Sequence, residues 1–408
     1  MRRLITLTTL AILGLGFTSC LEDTAVRESP RVDGFSDSQS LNFSAEELAV
    51  LREELNVGQN IEPLSTRVPE HLSNFRGNEV LEQSSADARK ALLGRVLFYD
   101  TRLSATGETS CNTCHLQEAA FADNLAVSEG INGLLTKRNS IALGAVPTFA
   151  PEISGYGSSG DEDNDPVEGD VKFFWDERAA TIKEQSLATI QDEREMGKDI
   201  HELSSELSNL RMYQILSMKA YGTTDLTPDR ITLALEKFTS SITAMNTRFD
   251  QAMDNGFRIG ENVTESEMAG FDLFLQNCAS CHGVNMSQPN FAVANNGLDV
   301  TSEDKGVGGI TGNSAENGLF KVPFLRNVAL TAPYMHDGRF ETLREVIDHY
   351  SEGIQRHPNL HRELKQAGGT PIRMNFSEED KQALVDFLNM ATDETIATNP
   401  AFANPFRE

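Results

Sequence analysis

Two short stretches of the sequence combine residue types that can attach and ligate a haem. Each has two cysteines three positions apart, followed directly by a histidine: Cys111, Cys114 and His115, and Cys278, Cys281 and His282. Thiols at this spacing form thioether bonds to a c-type haem, and the histidine ligates its iron. One match can arise by chance or form half of a zinc site, but two matches use four of the five cysteines. The sequence therefore predicts two covalently attached c-type haems.

The first twenty residues predict export and give the fifth cysteine a role. Arg2 and Arg3 precede an apolar run, Leu4–Phe17, which is too short for a membrane span and typical of a secretory signal. Cys20 follows in a setting that resembles a bacterial lipobox. We expect residues 1–20 to be a lipoprotein signal peptide, with Cys20 lipidated on the periplasmic side as the only membrane anchor. The alternative is an ordinary cleaved signal.

The charge of the chain restricts its partners. The formal net charge is -26, from 61 acidic and 35 basic residues. Nucleic acid and anionic membrane surfaces would therefore repel the protein, whereas a cationic electron donor would not. A length of 408 residues with 39% hydrophobic residues suffices for two or three domains.

Helices are predicted around the first cysteine–histidine stretch. Residues 21–84 are polar and predict a tether with one helix near 45–55. Residues 85–98 have apolar positions at helical spacing, and residues 179–196 also predict a helix. Thr227 and Pro228 are a favourable N-cap and first helical residue, and the apolar face of the helix that they begin continues to Phe249.

The second stretch has similar surroundings. We place a domain boundary near 255–262, and Thr264 and Glu267 then form a capping box before a helix that leads to Cys278. Further helix starts are predicted at Thr342 and Ser377, and strand patterns are few. The sequence thus predicts an all-α fold with two cytochrome c-like domains, 85–255 and 256–408, each carrying one haem.

With these residues in view, the chain resembles the bacterial dihaem cytochrome c peroxidases, a family that includes the MauG-type enzymes. The resemblance covers 92–392 and rests on the two haem motifs and on four further stretches: Leu97–Ser104, Phe174–Asp176, Glu195–Gly197 and Pro333–Gly338. It implies that peroxide reacts at the N-terminal haem and that the C-terminal haem relays electrons. His115 and His282 would be the proximal iron ligands.

The resemblance also assigns catalytic side chains. Trp175 would lie between the haems as the electron path, whereas without the flanking motif it could equally be a core tryptophan. Glu195 and Gln185 would face the peroxide, although Glu195 taken alone would be a surface carboxylate. A carboxylate can move the proton that peroxide cleavage requires, and an amide can hold the peroxide by hydrogen bonds. His336 is expected among the cofactor-binding residues.

A calcium ion and a dimer are further implications of the resemblance. Asn139, Thr331 and Pro333 match positions where the family binds calcium between the domains. An amide oxygen and backbone carbonyls are donors that suit this cation. Family members are often dimers, so a homodimer is expected by analogy.

The sequence departs from the family pattern at both haems. Many members have a histidine in the loop after the first haem that blocks the iron, but no histidine lies between His115 and His201. We therefore expect an open or water-bound peroxide site. Many members also place a methionine fourteen residues after the position of His336, where this chain has Tyr350, as in MauG-type enzymes. Tyr350 is the expected sixth ligand of the relay haem and Met335 is its rival.

Three functions follow from these expectations. The first is reduction of hydrogen peroxide to water, with electrons from a small periplasmic donor of the cytochrome c or cupredoxin type. The second is a MauG-like oxidase that modifies a partner protein through a high-valent state shared by both haems, which Tyr350 and the missing histidine favour. The third is a simple electron carrier, against which Glu195 and Gln185 argue because a carrier needs no acid–base residues.

Overall fold

The computed structural model describes residues 40–65, 68–72, 83–144 and 172–407. The predicted signal peptide and Cys20 lie outside these residues, so export and lipidation stay predictions. None of the helices in the described ranges is long and apolar enough to cross a membrane.

Helical structure dominates the described residues, as the sequence predicted. The α-helices are α1 (Ala45–Leu51), α2 (Ser85–Tyr99), α3 (Cys111–Cys114), α4 (Ile182–Gln191), α5 (Ile200–Ser208), α6 (Arg211–Tyr221), α7 (Pro228–Thr239), α8 (Arg248–Asp254), α9 (Glu265–Asn277), α10 (Ala279–His282), α11 (Val307–Thr311), α12 (Leu343–Asp348) and α13 (Glu378–Asn389). A π-helix spans His349–Gly353. Two short antiparallel strands, β1 (Val293–Ala294) and β2 (Phe320–Lys321), pair Val293 with Lys321.

Two hydrophobic cores organise these helices. The first is built on α2 packed against α7, and the second on α9 packed against α13. In both pairs a glycine lets the helices touch. A Cβ on Gly94 would lie 1.9 Å from the Ala234 carbonyl oxygen, and one on Gly270 would lie 2.0 Å from the Ala383 carbonyl oxygen. Each haem motif thus follows the first helix of a closely packed pair.

The N-caps behave as the sequence predicted, because capping is a local interaction. The Thr227 side chain accepts a hydrogen bond from the Arg230 amide, and Pro228 is the first residue of α7. Capping boxes are present at Thr264, Thr342 and Ser377.

The long helix predicted from Thr227 to Phe249 is wrong, because α7 ends at Thr239. The Thr239 hydroxyl donates to the Leu235 carbonyl at 3.0 Å, and the Ser241 hydroxyl donates to the Phe238 carbonyl at 2.6 Å. Thr232 makes the same kind of bond in the middle of α7, so these bonds accompany the end of the helix and do not cause it. Thr247 then caps a separate helix, α8, and Phe249 of α8 belongs to the second core. The helix predicted for 179–196 is likewise shorter, Ile182–Gln191.

Part of the predicted tether is packed onto the first core. Phe43, Leu51 and Leu55 are buried there, and the Glu47 carboxylate lies 3.2 Å from the Lys219 ammonium with both side chains buried. At the other end of the chain, Phe402 joins the same core. The proposed division at 255 stays a prediction, but the first core also takes residues from both ends of the chain.

Candidate functional site

The two cysteine–histidine stretches line two separate cavities. Cys111, Cys114 and His115 line a cavity of about 780 Å³, whereas Cys278, Cys281 and His282 line one of about 230 Å³. All four cysteines are free rather than paired in disulfides. Among the described residues, no group of three or more His, Cys, Asp or Glu side chains could hold a metal ion, so the stretches lack the companion ligands of a zinc site.

The surroundings of both motif histidines favour a neutral imidazole whose Nε2 can bind iron. His115 Nδ1 lies 2.8 Å from the Phe121 carbonyl oxygen, and His282 Nδ1 lies 2.9 Å from the Pro323 carbonyl oxygen. A proton on Nδ1 that is donated to a carbonyl leaves the lone pair of Nε2 for a metal. Burial lowers the pKa of both imidazoles, more than these hydrogen bonds raise it, and keeps the rings neutral. The residues present therefore fit a covalently held haem in each cavity.

Trp175 lies between the two cavities and lines both. Its indole nitrogen donates to the Asn139 carbonyl at 2.9 Å, and its own carbonyl accepts from the Lys321 amide at 2.8 Å. The neighbouring Arg138 bonds to Asp176 at 2.5 Å and to Asp304 at 2.7 and 2.9 Å. The tryptophan is thus fixed by residues from both halves of the described chain.

Glu195 and Gln185 line the same cavity as the first haem stretch. The end of α4 positions Glu195, because the amides of Glu195, Met196 and Gly197 all donate to the Asp192 carbonyl, at 3.0, 3.1 and 2.8 Å. Burial raises the pKa of the Glu195 carboxyl, whereas a hydrogen bond from Thr189 and the nearby Arg178 charge lower it. A carboxylate in such surroundings can take up and return a proton.

The second cavity contains both rival ligands and His336. Tyr350 is part of the π-helix, and π-helices occur frequently at functional sites. Burial raises the pKa of Tyr350 to about 12, and Asn296 hydrogen-bonds its side chain. Asn296 also donates to Met335 Sδ at 3.4 Å. The structure therefore brings Tyr350 and Met335 to one amide in this cavity, and the choice between them stays a prediction.

The predicted calcium ligands and His336 meet near the same cavity. Asn139, Thr331 and Pro333 all line it. The Asn139 amide donates to the His336 carbonyl at 2.9 Å, and the His336 ring stacks on Phe320 at 3.7 Å between ring centres. The three oxygen-bearing residues are thus close to Trp175 and to the join between the two cores.

Comparison with known proteins identifies the family. A model described as di-haem cytochrome c peroxidase matches residues 88–256, and a cytochrome c model matches 267–392. The cytochrome c551 peroxidase of Nitrosomonas europaea is 30% identical over 313 residues, covering 76% of this chain and 81% of that protein. The chain belongs to the di-haem cytochrome c peroxidase family. It is an oxidoreductase with two cytochrome c-type domains and two c-type haems.

Relatives with MauG in their names are equally similar to this member of the family. The methylamine utilization protein MauG of Paracoccus denitrificans is 30% identical over 362 residues, covering 76% of this chain and 89% of that protein. The crystal structure of a MauG-like protein associated with microbial copper homeostasis matches with a TM-score of 0.67 and 28% identity, over 84% of this chain and 99% of that chain. These similarities do not separate peroxide reduction from protein oxidation.

Sequence reasoning missed three polar residues that the structure places beside the predicted site residues. They are Thr189, Arg178 and Asn296. Thr189 could have been found, because it follows Gln185 by four positions on a predicted helix and such residues lie on one face. Asn296 could not, because 54 positions separate it from Tyr350.

Proposed function

We propose that this protein reduces hydrogen peroxide to water: H₂O₂ + 2 H⁺ + 2 e⁻ → 2 H₂O. Two c-type haems, held at Cys111–His115 and Cys278–His282, supply the redox chemistry, and the electrons come from a small donor protein. The observation that carries the proposal is the cavity of the first stretch, in which the half-buried Glu195 and the amide of Gln185 lie on the wall.

Each side chain has a separate task in this proposal. The Glu195 carboxylate accepts the proton from the peroxide oxygen that stays in the cavity and returns it to the other oxygen, which leaves as water. The Gln185 amide orients the peroxide by hydrogen bonding. Trp175, which lines both cavities, carries electrons from the C-terminal to the N-terminal half. Proton transfer by a positioned group contributes about two to four powers of ten in rate.

The test is peroxide turnover with a reduced donor, on the wild type and on Glu195→Gln. The variant should lose about a hundredfold to ten-thousandfold in kcat, because the glutamine amide that replaces the Glu195 carboxylate cannot accept the proton of the peroxide. Glu202→Gln, an exposed carboxylate on α5, is the control and should match the wild type. Negligible turnover by the wild type would instead leave protein oxidation or electron transfer as the function.

A MauG-like oxidation of a partner protein is the second candidate. Tyr350 in the second cavity favours it, as does the absence of any histidine between His115 and His201 in the sequence. Phenolate is an anionic donor that stabilises oxidised iron, so a Tyr350 ligand would make high oxidation states easier to reach. Peroxide-dependent oxidation of a tryptophan on a co-purified partner, found by mass spectrometry, would support this candidate over the first.

The remaining assignments belong to the same proposal. One calcium ion would be held by Asn139, Thr331 and Pro333, and a lowered unfolding temperature after treatment with a chelator would support it. The protein would be exported and anchored at Cys20 on the periplasmic side, and an unmodified mature N-terminus in mass spectrometry would contradict this. The donor would be a cytochrome c or cupredoxin, and a homodimer would be detected by light scattering.

A further inference from the structure

Thr189 joins the two polar side chains of the first cavity. It lies one turn after Gln185 on α4, and the Gln185 amide nitrogen is 3.0 Å from the Thr189 hydroxyl oxygen. The same hydroxyl faces the Glu195 carboxyl closely enough to lower its pKa by hydrogen bonding. All three residues line the cavity that contains Cys111 and His115. A single hydroxyl therefore connects the amide and the carboxyl that the proposed reaction uses.

The chemistry of a hydroxyl gives this connection a direction. A hydroxyl has one proton to donate and two lone pairs that can accept. An ionised carboxylate can only accept, so the Thr189 proton is directed to Glu195 and its lone pair faces Gln185. The amide must then present its nitrogen to Thr189. Its second N–H and its carbonyl oxygen are consequently held in one orientation relative to the carboxylate.

Other threonines of the same fold use their hydroxyls differently. Thr232 and Thr239 of α7 donate to carbonyls four residues earlier in their own helix, Pro228 at 3.1 Å and Leu235 at 3.0 Å. That is the usual local use of a threonine within a helix. Thr239 also lines the first cavity, but its hydroxyl donates to carbonyls of its own helix.

We propose that Thr189 is a positioning residue for peroxide reduction, whose hydroxyl holds the Gln185 amide and the Glu195 carboxylate in one fixed arrangement. The inference rests on the proposed function, because it assumes that these two side chains meet the peroxide. It predicts a role that depends on the hydroxyl group and not on the volume of the side chain.

The first experiment measures the pH dependence of peroxide turnover in the haem-loaded protein. In Thr189→Val the carboxylate loses a hydrogen bond that favours its ionised form, so the acidic limb of kcat/KM should move to higher pH. A shift of about half to one pH unit is expected, since a hydrogen bond of this kind is worth roughly a factor of three to ten. Thr189→Ser keeps the hydroxyl and should match the wild type, as should Thr232→Val, which removes a hydroxyl that bonds to carbonyls of its own helix.

The second experiment needs no turnover. Cyanide binds to haem proteins as the anion after hydrogen cyanide gives up its proton, so the pH dependence of cyanide binding to the resting protein reports on Glu195. Its midpoint should rise in Thr189→Val and not in the serine variant or in Thr232→Val. If the wild type does not turn over peroxide, the proposed function fails, and the cyanide titration still tests Thr189.

Two results would overturn the proposal. One is a valine variant with the same turnover and cyanide midpoints as the wild type. The other is a serine variant that behaves like the valine variant, since this would assign the effect to packing. If valine prevents folding, Thr189→Ala replaces it, with the same expected shifts and the same serine control.

Discussion

The two haem-bearing halves of this protein share their scaffold and differ in what faces the cavity. In each half, a glycine in the helix before the motif touches a carbonyl of the last helix, Gly94 on Ala234 and Gly270 on Ala383. In each half, the motif histidine bonds to a backbone carbonyl through Nδ1. The parts that hold a haem are therefore repeated, which explains why the same sequence pattern marks both.

The difference lies in the segments that cover each cavity. The turn after α4 brings Glu195 to the first cavity, next to Gln185 and Thr189, and this cavity measures about 780 Å³. The π-helix brings Tyr350 to the second, and this cavity measures about 230 Å³. A carboxyl and an amide that can move and hold protons suit a small reactant, whereas a phenol and a thioether are possible iron ligands and suit a closed redox centre. The residues that distinguish the two cavities thus lie outside the two packed helix pairs that the halves share.

The halves also bury different ion pairs. In the first core, Lys219 contacts Glu47 at 3.2 Å and the Asn42 carbonyl at 3.0 Å. In the second, Arg326 makes two bonds of 2.7 Å to Asp250. A lysine can lose its proton when its partner is removed, but an arginine cannot. The second core should therefore depend more strongly on its carboxylate.

The largest predicted effect comes from Asp250→Asn. This change leaves the Arg326 charge buried without its carboxylate, so the free energy of unfolding should fall by about 3–5 kcal/mol. Glu47→Gln is the matched variant in the first core and should cost roughly 1–3 kcal/mol, a loss on the scale of one hydrogen bond to a charged group. Urea unfolding of the haem-loaded proteins at pH 7 measures both. Equal losses of unfolding free energy in the two variants would contradict the stronger dependence of the second core on its carboxylate.

The same pair predicts how stability depends on acid. Burial opposes ionisation of Asp250, but the hydrogen bonds and the charge of Arg326 hold the pKa of this carboxyl below its ordinary value. A carboxyl whose pKa is lower in the folded state stabilises the protein above its unfolded pKa, and that contribution is lost as pH falls through the folded value. The difference between wild type and Asp250→Asn should therefore shrink below pH 3.8, as unfolding curves at pH 3 and pH 7 would show.

The shared helix contact is tested by Gly94→Ala and Gly270→Ala. Alanine usually favours a helix over glycine by about 1 kcal/mol. Here each new methyl group would overlap a backbone carbonyl, so both variants should lose roughly 1–3 kcal/mol of unfolding free energy. Gly309→Ala is the control, because its nearest neighbour would be Lys305 Cβ at an ordinary 3.5 Å. Thermal unfolding compares them, and a loss in only one half would break the likeness of the two scaffolds.

The elements that the sequence predicted well are those set by local interactions. The haem stretches, the N-caps at Thr227 and Thr264, and the all-α class depend on residues within a few positions of one another. The end of α7 at Thr239 and the packing of Phe43 were missed, because contacts far apart in the sequence accompany both: Phe249 packs in the second core and Phe43 in the first. The apolar spacing of the sequence continues past Thr239, so a prediction based on spacing detects neither the end of α7 nor the packing of Phe43.

The residues of the candidate site also divide into those that the sequence predicted and those that it missed. The family resemblance supplied Glu195, Gln185 and Trp175, and the structure places all three on the wall of the first cavity. Residues that act on these side chains through hydrogen bonds, such as Thr189 and Asn296, carry no sequence signature of their own. Their positions follow only from how α4 and the π-helix are oriented in the fold.

The smallest change in stability and the sharpest spectroscopic test concern Tyr350 and Met335. Met335 Sδ accepts a hydrogen bond from Asn296, and Asn296 also lowers the pKa of Tyr350. Either side chain could therefore face the haem of the second cavity. If tyrosine is the ligand, Tyr350→Phe should change the absorption and EPR signals of the low-spin haem and leave the other haem unaltered. Its unfolding free energy should fall by only about 1 kcal/mol, the value of one hydrogen bond. Met335→Leu should leave the spectrum unchanged. The opposite pattern would assign methionine, and the second half would then differ from the first by a thioether in place of a phenolate.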